Sequence, residues 1–512
     1  VAALALGSDA SAQQDSLIRA LIAFHTPAEK EAYARAMEAP TQENLIALFL
    51  HVDPSGVQVD PASVVERIAE FTEQHPRHTL GAAMKVKQLE RLFEEVQGAF
   101  LTRYNENALF DDLFVNGDFN CLTASILFAL LFDEYRLPYE LRVRPEHVYV
   151  ITAVDGTMVS VETTDPVSGV FAYDEKFKRQ LLEQLLNAKI LSRSQVDTLG
   201  ADAALASVAE ADSVVDIRGI AGALYFNSGL SEHQAGRQGT AIAQLAKGYG
   251  LFPFGPTRQT LLMAMAAKVD QSDLTDTADI ELLGRTWAIA NNDERGDGIV
   301  TIHERLLTAS LVEHSDTALA RKQTEILLRY VEQASVRDRI QFAYQLEFGR
   351  FLAIKKDFGG ALEHFLLANA INPDHAQLSE WIVGALVEKL QRSPDRSAFI
   401  RNLDSLVELH PELKGLEAMR RCYMITYLIA AEDNFNIDRR QQAESHLSEF
   451  ESLFVPDRSD LPVDAIASSY ISGWRSWTRA RRGDMARSCI ARGQRIAPYN
   501  EELNRFSKYN TY

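Results

Sequence analysis

The chain has 512 residues, enough for two to four domains, and its 46% apolar and 24% charged content is that of ordinary globular protein. A formal net charge of −19 argues against nucleic acid and anionic membrane surfaces as partners, because both recruit basic patches. Cys121, Cys422 and Cys489 are too few and too widely spaced for a disulfide framework or a zinc site, and no stretch has the ~20 consecutive apolar residues of a transmembrane helix.

Residues 1–12 are apolar and alanine-rich, and Asp9-Ala10-Ser11-Ala12-Gln13 places small residues where a signal peptidase reads them. They read as the tail of a signal peptide, which predicts an exported protein, periplasmic or secreted. A frayed terminus on a cytoplasmic protein is the alternative. Residues 13–104 read as helices over Ser16–Ala23, Ala28–Met37, Thr41–Leu50, Val64–Thr72 and Ala82–Tyr104, with Thr41 as a cap and a turn at Asp53-Pro54-Ser55-Gly56. His75 and His78, flanking Pro76-Arg77, read as a solvated turn. This segment forms the front of a domain expected over 13–200, with its core at about 105–175.

Asn120 is a good helix cap, and Leu122 to Tyr135 is helix-length and almost wholly apolar, the pattern of a buried helix. Cys121 then occupies the first helical position, where unpaired backbone N–H groups and the helix dipole favour a thiolate over the ordinary thiol, whose pKa is about 8.5. Asn116 and Asn120 are the nearest side-chain candidates for an oxyanion donor beside the Cys121 N–H, with Asn120 explained first as a cap. Strands follow at Tyr139–Arg144, His147–Val154 and Thr157–Thr164, the last two joined by Asp155-Gly156, the pair a two-residue hairpin turn prefers. That turn sets Tyr149 opposite Glu162 and His147 opposite Thr164. His147, Tyr149 and Glu162 thus share a face, with His147 and Glu162 as diagonal neighbours about 7–8 Å apart at the backbone. Asp165 falls on the other face, so the register selects Glu162 as the acid that orients the imidazole.

The order cysteine, helix, strand, histidine, strand, acid resembles the transglutaminase-like superfamily. The likeness is closest to bacterial proteins that join such a core to tetratricopeptide repeats and carry the motifs Asn-Cys-x-Thr-Ala-Ser, Pro-x-His-Val-Tyr and Val-Glu-Thr-Thr-Asp-Pro, here at 120–125, 145–149 and 161–166. The resemblance implies Cys121 as nucleophile, His147 as general base and Glu162 as the orienting acid. Most members carry aspartate at the third position, in a Val-Asp-Pro-Thr setting, where this chain has Val161-Glu162-Thr163-Thr164.

Beyond Pro166, residues 174–197 have the spacing of amphipathic helices, and Gly200–Asp212 reads as a boundary. From about residue 217, small and apolar residues recur. Ala241, Leu245, Gly248 and Pro253 match Ala361, Phe365, Ala368 and Pro373, and again Ala486, Ile490, Gly493 and Pro498. Gly229 and Gly349 hold one further position, where the third unit has Trp474 beside Gly473. This is the tetratricopeptide pattern of small residues where two helices cross, expected over 213–512 with degraded units at Ala398–Pro411 and Gln441–Pro456. Within it, Asp293 to Glu304 resembles a calcium-binding EF-hand loop, with Asp293, Asp297, Gly298 and Glu304 at ligand or turn positions. Arg295 puts a cation where that loop supplies an oxygen, and an ordinary helix–helix turn fits nearly as well.

The expected fold is therefore an α+β transglutaminase-like domain with a papain-like core, followed by an all-α tetratricopeptide-type solenoid. The expected function is cysteine-dependent acyl transfer, as a peptidase, amidase or transamidase, on a peptide or protein held by the repeats, with no cofactor. The alternative is a non-catalytic scaffold that binds through its repeats.

Overall fold

In the computed structural model the described residues are 13–56, 59–76, 84–144, 147–165, 169–173, 175–201, 203–205, 213–290, 296–390, 396–455 and 461–508. The expected leader at 1–12, His78, Asp293 and Arg295 lie outside them. The chain forms two compact units, residues 1–292 and 293–512. Among the described residues no helix is long and apolar enough to cross a membrane.

In the first unit, α1 (Pro27–Glu38), α2 (Gln42–Leu50), α3 (Pro61–Gln74) and α4 (Val86–Phe100) precede a two-stranded parallel sheet of β1 (Arg103–Tyr104) and β2 (Asp118–Phe119). Thr26 and Thr41 cap α1 and α2 with their hydroxyls. The helix expected to run to Tyr104 stops at Phe100, because Thr102, Arg103 and Asn105 give their N–H groups to the Gly117 and Phe119 carbonyls instead of a further turn. Helix α5 (Cys121–Glu134) follows. Every residue from Leu122 to Phe132 is buried, as an all-apolar helix requires.

A five-stranded antiparallel sheet then forms from β3 (Tyr139–Arg144), β4 (His147–Val154), β5 (Thr157–Val161), β6 (Val170–Ala172) and β7 (Ser213–Val215), in the order β6-β5-β4-β3-β7. Asp155 and Gly156 both take positive φ, 47° and 71°, the conformation that matches a tight hairpin turn to strand twist. Val154 pairs with Thr157 and the ladder runs to Val150 opposite Val161. Leu141, Val143, Val148, Val150, Val159 and Val161 share one core with the apolar side chains of α5. The returning strand ends at Val161, three residues short of expectation. Asp165 N–H turns back to the Glu162 carbonyl, and Glu162 N–H goes to the Gly169 carbonyl at 2.6 Å.

Helices α6 (Glu175–Asn187) and α7 (Arg193–Leu199) lead to β7, and α8 (Ile220–Gln234), α9 (Gln238–Leu251), α10 (Gly255–Asp270) and α11 (Thr277–Ala290) complete the unit. The sheet gives way to helix pairs near residue 215, but the compact unit continues to 292. Ile220, Ala221, Leu224 and Tyr225 belong to the same core as α5. A buried charge pair adds to this continuity. Lys247 on α9 bonds Glu29 on α1, with the two residues 0% and 2% exposed. Glu29 also accepts from the Tyr225 hydroxyl at 3.1 Å and the His25 N–H at 2.7 Å, and Lys247 Nζ lies 4.8 Å from the Tyr225 ring centre. Burial lowers the Lys247 pKa, while its hydrogen bond to Glu29 opposes the shift.

The second unit is helical: α12 (Asp297–Leu307), α13 (Thr317–Tyr330), α14 (Ala334–Ile354), α15 (Phe358–Ile371), α16 (Leu378–Leu390), α17 (Arg396–Leu409), α18 (Glu417–Asn436), α19 (Arg440–Leu453), α20 (Val463–Arg479), α21 (Gly483–Ile496) and α22 (Glu501–Lys508). The recurring glycines sit where paired helices touch. A Cβ on Gly229 would lie 2.6 Å from Leu245, and one on Gly349 would lie 2.6 Å from Phe365. In the third pair Gly473, not Trp474, faces the partner, and it meets Cys489 rather than Ile490 at 3.0 Å. Glycine and neighbour have both moved by one position, so the contact is kept.

The calcium-loop reading meets a different geometry. Helix α12 begins at Asp297, so residues 297–304 are helical and not wrapped around a central point, and the Asp297 carboxylate pairs with Arg339 at 2.8 Å. Glu304 lies two turns along the same helix. Among the described residues no group of three or more His, Cys, Asp or Glu side chains is arranged to hold a metal ion.

Candidate active site

Asn120 builds the start of α5. Its Oδ1 accepts from the Leu122 and Thr123 N–H groups at 3.1 and 3.0 Å, and the Thr123 hydroxyl returns a bond from the Asn120 N–H at 3.0 Å. Its Nδ2 donates to the Glu106 and Ala108 carbonyls at 3.1 and 2.9 Å. Both amide protons are thus committed to the neighbouring loop, which assigns Asn120 to capping and not to an oxyanion. Asn116 is exposed, and its Oδ1 accepts from the Asp118 N–H at 2.8 Å, fixing the turn before β2. Cys121, first in the helix, is partly exposed, unlike Cys422 and Cys489, which are buried; all three are free thiols.

His147 opens β4 and stands between the sulfur and an acid. Its Nε2 lies 2.6 Å from Glu162 Oε2, with both side chains roughly 70% covered, at 30% and 27% exposure. With Nε2 given to the acid, Nδ1 is the ring nitrogen left for Cys121. Hydrogen bonds from Cys121, first, and Glu162, second, raise the His147 pKa to about 9, against the opposing effect of burial. Glu162 Oε1 accepts from the Ser160 hydroxyl at 3.3 Å. Tyr149 lies beneath the imidazole, its ring stacked at 5.9 Å and 14°, and is itself 2% exposed with the Arg144 guanidinium 4.7 Å from its ring centre. The proposed triad residues and Tyr149 are therefore brought together, while Asp297 and Glu304 belong to the other unit.

Sequence reasoning missed the residues that hold this arrangement. Thr163 is fully buried and its hydroxyl reaches the Cys121 carbonyl at 3.4 Å and the Ser125 hydroxyl at 3.3 Å. Ser125 donates to the Val148 carbonyl at 3.2 Å, and Gln97 Nε2 donates to the Thr163 carbonyl at 2.8 Å. Thr163 thereby ties the turn after Glu162 to the first turn of α5 and to α4. Gly169 closes the turn: a Cβ there would lie 2.6 Å from the Glu162 and Asp165 carbonyls. The available signal was the pair Thr163-Thr164 directly after the acid, since a hydroxyl at a strand end serves as a tie to backbone.

No protein-family model matches the sequence, and no curated protein matches it.

The loop before β2 carries a titrating group. Asp111 is 2% exposed, and its Oδ2 accepts no hydrogen bond among the described residues. Burial first, then the nearby Asp112 and Asp53 carboxylates, raise its pKa from 3.8 to about 6. The folded state therefore holds this proton more tightly than the unfolded chain. No penalty exists below about pH 3.8, and one develops as pH rises through about 6. Asp111→Asn is expected to stabilise the first unit at pH 8 by roughly 1–3 kcal/mol and to leave it unchanged near pH 4, as measured by urea unfolding at the two pH values.

Proposed function

We propose that the chain is a cysteine-dependent acyl-transfer enzyme with a transglutaminase-like, papain-like core, acting on a peptide or protein held by tetratricopeptide-like helix pairs. The observation that carries this reading is His147, bonded to Glu162 at 2.6 Å and near enough to Cys121 for the sulfur to raise its pKa. An imidazolium so placed stabilises a thiolate next to it, and the start of α5 adds the positive end of the helix dipole. The thiolate attacks an amide or ester carbonyl carbon, and the Cys121 N–H donates to the oxyanion. The tetrahedral intermediate collapses to a thioester as the C–N or C–O bond breaks, and the leaving group takes the proton from His147. Water or an amine then attacks the thioester, gives its proton to His147, and releases Cys121. Glu162 keeps the imidazole in the required tautomer throughout. None of these steps calls on a metal or an organic cofactor.

The test is the rate of alkylation of Cys121 by iodoacetamide against pH, read by peptide mapping in wild type and His147→Ala. Burial raises the Cys422 pKa to about 11 and the Cys489 pKa further, so those thiols stay silent in the folded protein. Since the His147 pKa is about 9, the imidazolium is present at every lower pH and is lost as pH rises through 9. Rapid alkylation well below pH 8.5 in wild type, lost in His147→Ala, is the expected result. The same ordinary thiol titration in both proteins would overturn the catalytic reading and leave a scaffold that works through its helix pairs.

A further inference from the structure

Tyr104 is the feature near Cys121 that the proposed chemistry leaves unused. It is 58% exposed, in a segment otherwise tied down closely. Tyr104 sits on β1 directly opposite Phe119 on β2, two residues before the cysteine. Its ring meets the buried Phe119 edge-on, with centres 5.9 Å apart and planes at 89°, so one edge is anchored while much of the ring faces solvent. It lies within electrostatic reach of Cys121.

The backbone under Tyr104 is held by the strand that delivers the nucleophile. Asn105 N–H donates to the Phe119 carbonyl at 2.8 Å, and Thr102 N–H donates to the Gly117 carbonyl at 2.8 Å. Gly117 has φ +78°, and a Cβ on it would lie 2.3 Å from the Thr102 hydroxyl, so the two segments lie in close contact. Arg103 clamps Asp118 through two bonds at 2.7 and 2.6 Å, and Asp118 is 3% exposed. With the Asn120 amide bonded to the Glu106 and Ala108 carbonyls, the position of Tyr104 relative to Cys121 is fixed from both sides.

The order of events in acyl transfer says which part of a substrate meets such a ring. His147 gives its proton to the departing amine or alcohol, so the leaving group lies on the imidazole side. The acyl portion stays on the sulfur. His147 stands on the five-stranded sheet and Tyr104 on the two-stranded one, so the two rings belong to different sheets beside the start of α5. We propose that Tyr104 is a specificity-determining residue, a platform against which the side chain of the acyl-side residue packs, favouring aromatic or large apolar side chains at that position. Aromatic rings pair edge-to-face or offset, and a partly anchored, partly exposed tyrosine presents both a face and an edge for this.

This inference rests on the catalytic reading above, and the experiment separates the two. The full chain is treated with peptidyl acyloxymethyl ketones carrying phenylalanine or glycine next to the ketone, and with iodoacetamide, which has no side chain to place. Second-order rates at Cys121 are read by peptide mapping in wild type, Tyr104→Ala and Tyr104→Phe. The phenylalanine-to-glycine rate ratio is expected to fall about tenfold in Tyr104→Ala and to persist in Tyr104→Phe, with iodoacetamide rates changing less than twofold. An unchanged ratio in Tyr104→Ala overturns the platform while the Cys–His reading stands. A parallel fall of all three rates makes Tyr104 a support of the cysteine and also overturns it. A wild-type thiol with ordinary reactivity toward every probe removes both readings together.

Discussion

Hydrolysis of an activated ester at Cys121 is expected to fall by about 10²–10⁴-fold when His147 is replaced by alanine. The variant removes the proton donor for the leaving group and the positive partner of the thiolate, while the helix cap at Asn120 is left intact. Glu162→Gln should lose less, roughly tenfold, because an amide oxygen can still accept from Nε2 while its charge is gone. The pH profile distinguishes these effects. In the proposed mechanism the Cys121–His147 pair works with a protonated imidazole, so the basic limb of kcat/KM should lie near pH 9 in wild type. Glu162 raises that pKa by hydrogen bond and by charge, so Glu162→Gln should move the limb to lower pH. A limb unmoved in Glu162→Gln would mean that the 2.6 Å contact does not tune the imidazole. Rates with p-nitrophenyl acetate from pH 5 to 10 provide the measurement.

Lys247→Met should destabilise the first unit by about 3–5 kcal/mol, the cost of leaving a buried carboxylate without its counter-charge. Glu29 is 2% exposed and, among the described residues, would keep the Tyr225 hydroxyl and the His25 N–H as donors. Glu29→Gln alone should also be costly, because it strands the ammonium of a fully buried lysine. The double variant should recover most of the loss. Glutamine Oε1 can still accept from the His25 N–H while its Nε2 donates to the Tyr225 hydroxyl oxygen, and methionine fills the space of the lysine stem between the Tyr225 and Phe24 rings. The measurement is urea unfolding of the four proteins, followed by hydrogen exchange in α1 and α9. Additive losses in the double variant would show that the two charges do not act as a pair.

Local chemistry made part of this arrangement legible from sequence. Asn120 before an apolar run marked the start of α5, and Asp155-Gly156 set a register that placed His147 and Glu162 on one face. The paired residues end at Val150 and Val161, short of that pair, yet the two side chains meet. The helix crossings were legible because glycine is needed wherever two backbones approach closely. What stayed hidden depends on distant partners. β1, β2 and β7 have two or three residues each, too few for any alternation to register. Lys247 and Glu29 are 218 positions apart and look like ordinary surface charges until the chain is folded. Thr163 looked like one more strand residue, because the tie it makes to Cys121 crosses 42 positions.

The three residues of β7 bear on how this protein can be taken apart. Val215, Val214 and Ser213 pair with Leu141, Arg142 and Val143 and cover that margin of the sheet. A piece ending at residue 200 would carry Cys121, His147 and Glu162 but leave the β3 margin bare, with main-chain groups ready to recruit strands from other molecules. It would also lack Lys247 and so strand Glu29. Dissection at the apparent seam between sheet and helices therefore yields a sticky remnant, whereas a cut after residue 290 keeps both closures within one piece.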